Sequence, residues 1–295
     1  MGEKLSDIKD ITELPVYMIN MNERKDRWKR AMSSEAIRKF NFLERLPATN
    51  GKELKYRTEK RISLGTRLRI FRNYRRSHYE IATLGAIGAS ISHIRTWEKF
   101  YKSEKPFCIV MEDDAIWLPE YITRINTILP SVPSTCSIWL LGCYPKTLVV
   151  EHLKSEKPWN KVHNFTAAHS YILTREAAKK LLEEPYPIET HIEYYITTVA
   201  TLRGLQILQH PDIIVDFYRT YVGPRTNDSN TSQHKKAGCP TCDVEDDYSQ
   251  MYKHFTRKEK DKETVVSGIV YDKQDDKVLT FKRNARTRKQ KRSKK

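Results

Sequence analysis

Phe107-Cys108-Ile109-Val110-Met111-Glu112-Asp113-Asp114 runs from unbroken apolar side chains into three consecutive carboxylates. A short, continuous apolar run bounded by polar residues reads as a strand covered on both faces. In open α/β sheets, ligands sit just beyond the carboxyl ends of such strands. The three acids therefore fall where a ligand is expected. They repel one another unless a cation or a set of donors neutralises them. Hard carboxylate oxygens suit Mn²⁺ or Mg²⁺, ions that commonly bridge to substrate phosphates. If strand geometry continues, Glu112 and Asp114 point to one side as a metal pair and Asp113 points to the other. The alternative is that these acids cap a helix or solvate a loop.

The surrounding chain supplies the rest of a sheet and its helices. Residues 14–19 read as a buried strand, and the polar run that follows opens a helix reaching about residue 38. Residues 42–46 suggest a second strand, closed by the turn Pro47-Ala48-Thr49-Asn50-Gly51. Ile87, Ile91, Ile94, Trp97 and Tyr101 place one apolar face on a helix over 85–101. Residues 137–141 and 170–173 read as strands, with Thr174 capping a helix that reaches about residue 184. A helix over 190–203 and strands at 205–208 and 213–215 follow. Alternating elements predict an α/β fold, a mostly parallel sheet flanked by helices. That domain spans 14–220, with a C-terminal extension over 221–281 and a disordered basic tail over 282–295.

The chain has 295 residues and a net charge of +16, and that charge is local. Residues 55–79 carry nine Lys/Arg against Glu59 alone, and 282–295 carry nine with no acid, so the remainder is close to neutral. The body of the fold is thus no uniformly basic nucleic-acid binder. Weak periodicity makes 55–79 a long loop or small insertion. The tail suits an anionic surface or polymer, and it lacks aromatic residues for stacking on bases. The five cysteines are an odd number, and the first thirteen residues lack the apolar core of a secretory signal. No run reaches the roughly 18 apolar residues of a membrane span. A cytoplasmic protein of bacterial or viral type is expected, with peripheral membrane contact left open. Cys239 and Cys242 form a lone Cys-x-x-Cys, which reads as a redox pair or turn residues rather than half of a zinc site.

Four ordered segments resemble glycosyltransferase family 25, the lipooligosaccharide and collagen galactosyltransferases. They are Val16-Tyr17-Met18-Ile19-Asn20 with Arg24 and Arg27; Leu46-Pro47-Ala48-Thr49-Asn50-Gly51; residues 83–93, ending in Ser92-His93; and Cys108 to Asp114. Ser170-Tyr171-Ile172-Leu173-Thr174 and Pro187-Ile188-Glu189 extend the likeness. Asn50 and Glu189 stand where the family usually has Asp, and Ala86 where it has Glu. The resemblance implies a GT-A-like, Rossmann-related fold, a UDP-sugar donor (galactose or glucose favoured), Mn²⁺ and inversion at the anomeric carbon. It also implies a glycan, glycolipid or hydroxylysine-containing protein as acceptor.

Site expectations combine both readings. Glu112 and Asp114 are the metal ligands. Asn20, Arg24, Asn50, Gly51, Ser92 and His93 contact the nucleotide sugar, with Arg27 able to meet the diphosphate through its guanidinium fork. Glu189 is the favoured general base and Asp113 its rival. Glu193 is less favoured than Glu189, because Thr190-x-x-Glu193 reads as a capping box that accounts for it without chemistry. Bland alternatives stand beside each: turn-forming Asn20, solvated arginines, a structural His93, glycines serving helix packing, and an exposed His191. Two other functions use the same features. One is a metal-dependent nuclease or nucleotidyltransferase, and the other a non-catalytic binder with a glycosyltransferase-like fold.

Overall fold

The computed structural model describes residues 3–217, apart from 76, 78, 144–147, 154, 156 and 214, together with the strand segments 268–272 and 277–281. Its strands are Val16–Asn20 (β1), Leu43–Pro47 (β2), Phe107–Glu112 (β3), Ala115–Ile116 (β4), Cys136–Gly142 (β5), Val149–His152 (β6), Asn160–Asn164 (β7), Ser170–Thr174 (β8), Gln206–Gln209 (β9) and Asp216–Phe217 (β10). Gly268–Asp272 and Lys277–Phe281 pair as an antiparallel hairpin (β11, β12). The helices are Lys25–Ser33 (α1), Glu35–Arg38 (α2), Leu64–Arg72 (α3), Leu84–Lys102 (α4), Pro119–Ile128 (α5), Arg175–Leu181 (α6) and Ile192–Arg203 (α7).

Eight strands form one sheet in the order β2-β1-β3-β8-β5-β9-β7-β6. Parallel pairing joins β2, β1 and β3, and again β5 and β9. β8 runs antiparallel to both of its neighbours, and β7 and β6 continue antiparallel beyond β9. The sheet is therefore mixed. Its parallel edge carries the ends of β1, β2 and β3 together.

Strand alternation explains the two cores. Tyr17, Ile19, Cys108, Val110 and Tyr171 face one side, against α4, α6 and α7. Val16, Met18, Ile109, Met111 and Trp139 face the other, against the first turns of the chain, α2 and α5. Every residue of β1 is buried, as the apolar run requires. Helices α2, α3, α4 and α6 are started by side chains of the residues that precede them. Thr83 caps α4 and Thr174 caps α6, each accepting from a backbone N–H three residues on.

Three expectations are corrected. The basic stretch 55–79 is not all loop, because it contains α3, capped by the Ser63 hydroxyl on Thr66 N–H. Residues 213 and 215 are not strand; the chain pairs one step later, where β10 meets β4. The supposed capping box at α7 does not form. His191 is the N-cap, and the Thr190 hydroxyl instead donates to the Tyr79 carbonyl at 2.6 Å. Among the described residues no helix is long and apolar enough to cross a membrane.

Candidate active site

β1 and β3 run parallel, with Ile19 in register with Glu112, so Asn20 and the acids close the sheet side by side. β3 ends at Glu112, and the following turn breaks the strand alternation. As a result Glu112 leans toward α4, whereas Asp113 and Asp114 both turn toward α1. The strand alternation on which the expected pairing of Glu112 with Asp114 rested thus stops at Glu112, yet the two carboxylates stay close enough for the charge of one to act on the other. Arg27 reaches from α1 to Asp113 at 2.8 Å and to Asp114 at 3.5 Å. The Asn20 amide donates to the other Asp113 oxygen at 2.6 Å and accepts from Arg45 Nε at 2.7 Å. Asp113 is thus fully engaged by one amide and one guanidinium. Burial raises its pKa, Arg27 and Asn20 oppose the rise, and the Glu112 charge adds to it.

On the α4 side a chain of hydrogen bonds leads out of the core. Trp97 Nε1 donates to the Tyr171 hydroxyl at 2.8 Å. That hydroxyl lies 2.9 Å from His93 Nδ1, and His93 Nε2 lies 3.1 Å from Glu112 Oε1. An indole only donates, and a carboxylate only accepts. In the neutral tautomer this fits, the Tyr171 hydroxyl therefore donates to Nδ1, and Nε2–H donates to Glu112. Burial pushes Glu112 up, but the His93 hydrogen bond, together with the charges of His169 and Arg27, leaves the acid lowered.

His169 supports Glu112 from beneath, its carbonyl accepting from Glu112 N–H at 2.9 Å. Its ring nitrogens lie 2.9 Å from the Ala167 carbonyl and 2.6 Å from the Val215 carbonyl. Carbonyls only accept, so whichever ring nitrogen carries the proton donates to its carbonyl. Gly142 makes room for this ring, because a Cβ there would collide with the imidazole.

Asp114 is the unresolved member. Its Oδ1 is buried with no hydrogen-bond partner among the described residues. Burial and the Glu112 charge, only partly offset by Arg27, push its pKa up to about 7. A divalent cation is one group that would fit such an oxygen: hard, anionic and lacking a donor. Among the described residues no three Asp, Glu, His or Cys side chains converge into a cage. The carboxylate whose charge acts most strongly on Asp114 is Glu112.

Other expected site residues are employed elsewhere. The Arg24 carbonyl accepts from the Asn20 amide at 3.2 Å, while its guanidinium binds Asp26 in a two-pronged pair at 2.9 and 2.7 Å. The Asn50 carboxamide caps its own turn, accepting from Lys52 N–H and donating to Glu53. Ser92 receives Thr49 N–H at 2.8 Å and donates to the Gly88 carbonyl at 2.7 Å, which rivets that turn to α4. Gly51 and Gly88 permit the same close approach, since a Cβ on Gly88 would stand 2.5 Å from the Thr49 carbonyl oxygen. Glu189 is exposed, and its carbonyl accepts from Arg69 at 3.0 Å. Glu193, in the first turn of α7, has a different setting. It accepts from Ala167 N–H at 2.9 Å, and burial together with the nearby Glu112 charge raises its pKa. Tyr171 entered the sequence reading only as part of the strand that resembles the family. Arg45 and His169 gave no local signal, because their partners lie far away in sequence. Cys239, Cys242 and the basic tail lie outside the described residues.

Known proteins bear on this cluster directly. Among solved structures, apo UDP-glucose pyrophosphorylase aligns with 82% of each chain, at 10% identity and a TM-score of 0.35, too distant to support an argument. Two curated relatives are each called a glycosyltransferase 25 family member. The protein from Anopheles gambiae is 27% identical over 182 residues, covering 57% of this chain and 28% of its own. The one from Drosophila melanogaster is 27% identical over 177 residues, covering 57% and 27%. This chain thus spans little more than a quarter of those relatives. The sequence model described as glycosyltransferase family 25 (LPS biosynthesis protein) matches residues 13–196, a stretch that contains Asn20, Arg27, His93, all three strand-end acids, His169 and Glu193, and the chain belongs to that family.

Proposed function

We propose that this chain is a metal-dependent glycosyltransferase that moves a hexose, galactose or glucose, from a UDP-sugar to an acceptor hydroxyl with inversion, on a GT-A-like fold. The observation that carries this reading is the donorless Asp114 oxygen beside Glu112, at the end of a central strand within the family-matched segment. Glu112 and Asp114 would hold Mn²⁺ or Mg²⁺. Such an ion supplies charge to the departing diphosphate. Asn20, Arg27 and Arg45 hold the β1 and β3 ends in place around it. His93 fixes one Glu112 oxygen through Nε2–H, leaving the other free.

Direct displacement needs a base on the acceptor side. Asp113 is committed to Arg27 and Asn20, which leaves it poorly placed to accept a proton. Between the acids near the start of α7, Glu193 has the environment of a base. It is half-buried, and its affinity for a proton is raised. Glu189, in solvent, is the second candidate. The acceptor class is a glycan, a glycolipid or a protein hydroxyl.

The test is a panel of UDP-sugars with Mn²⁺, read as released UDP, on the intact chain and on Asp114→Asn. Turnover of one hexose donor that collapses in the variant is expected. Full activity in Asp114→Asn, or cleavage of plasmid DNA without sugar transfer, would refute the assignment.

A further inference from the structure

Helix α3 turns its apolar side chains outward. Leu64 is 78% exposed, Leu68 46% and Phe71 61%. Their i, i+4, i+7 spacing puts them on one ridge. The inward face is poorer, with Thr66 buried and Ile70 packed on the core. At the angular step of a helix, Arg67 and Arg72 flank the ridge at about 60° and about 80° from Leu64. The Arg57 guanidinium lies 5.3 Å over the Phe71 ring. Exposed Tyr74 and Tyr79 continue beyond the helix.

The helix cannot roll to hide this ridge. Ser63 caps its start, Ser63 N–H donates to the Ile188 carbonyl at 3.2 Å, and Arg69 binds the Glu189 carbonyl at 3.0 Å and Thr66 at 2.6 Å. The ridge also sits in the most basic folded part of the chain. Residues 55–79 carry nine Lys/Arg, and their one acid, Glu59, is bound to Arg61 at 2.9 Å. A second copy of the chain would bring the same positive charge against this face, which disfavours self-association through it.

We propose that α3 is an interfacial helix that seats this chain on a bilayer rich in anionic phospholipid. The Leu64, Leu68 and Phe71 ridge enters the headgroup–acyl boundary, while the exposed Arg57 and Arg72 meet lipid phosphates. Apolar insertion and electrostatic attraction each add to binding, and this surface presents both. The inference concerns a face separate from the acid cluster and does not depend on the sugar-transfer reading.

The test sediments the full chain with vesicles of phosphatidylcholine, with and without phosphatidylglycerol. The intact chain is expected to bind only the anionic vesicles. The triple variant Leu64→Gln, Leu68→Gln, Phe71→Gln should lose about tenfold or more in partitioning, as removal of buried apolar area predicts. Leu202→Gln, at a residue 76% exposed on α7, should bind like the intact chain. Circular dichroism checks folding. If the triple variant fails to fold, Leu64→Gln alone should lose about threefold. Unchanged binding of the folded ridge variant overturns the proposal, as does failure of the intact chain to bind anionic vesicles. Sedimentation velocity showing that the ridge instead drives self-association, without vesicle binding, overturns it equally.

Discussion

The end of β3 and the approach to α7 both offer carboxylates, yet the molecule treats them differently. At β3 the acids are consecutive, and partners from α1, α4, β1 and the loop before β8 come to hold them. At residues 187–193 the acids are spread out. Glu189 is left in solvent, and Glu193 takes a backbone donor twenty-six residues away in the chain. Like charges forced together must be neutralised by imported partners, so β3 acquires a built site. Acids that stand apart can be left to water, and here one stays exposed while the other is half-buried.

Four perturbations probe this contrast, beginning with the largest. Arg27→Leu leaves Asp113 and Asp114 buried without their shared cation. The expected loss is about 3–5 kcal/mol, read from urea unfolding midpoints. A loss under about 1 kcal/mol would mean that the acids are held by something other than this cation.

Asp114→Asn should reduce sugar transfer by roughly 10²–10³-fold if Asp114 is a ligand for the charge-stabilising ion. The same variant has a signature without metal. Because the Asp114 pKa is raised from its ordinary 3.8 to about 7, the folded protein keeps a proton that the unfolded chain has released. Its contribution therefore turns unfavourable as pH rises from about 4 to about 7 and is constant above. In EDTA, Asp114→Asn should match the intact chain near the lower limit and exceed its melting temperature above the upper one.

A paired comparison follows within the α7 approach. Glu193→Gln should lower kcat by about 10²-fold, in the range for a general base, with a smaller change for Glu189→Gln. The reverse order in the UDP-release assay would move the base to the exposed residue. The smallest effect is Tyr171→Phe, which removes the hydroxyl between Trp97 and His93. A cost of about 1–3 kcal/mol is expected from thermal unfolding, since the indole donor is left buried and unmatched. No loss would show that the hydrogen-bond chain is decorative.

Much of this architecture could be read from one-dimensional pattern. The strand from Phe107, the helix beginning near Leu84 and the Thr174 cap all follow from periodicity and short-range capping. Such features need only neighbours within a few residues. α3 was missed because its apolar residues face outward and its inner face offers Thr66, so no inward stripe marks it. The Thr190 and Glu193 pattern misled because Tyr79 and Ala167 supply better tertiary partners than the local cap. Of the site, the acids and His93 were visible from spacing and resemblance. Arg45 and His169 were not, since long-range ion pairing and hydrogen bonding leave no periodic trace.

The path from Trp97 through Tyr171 and His93 has a consequence for how this cleft meets a ligand. The Glu112 carboxylate is aimed from inside, by groups already packed in the core, so it need not be reoriented when a charged guest arrives. Water that would otherwise solvate that oxygen has been replaced in advance by a fixed dipole. The work of organising the acid is done during folding, and little of it is left for the moment of binding.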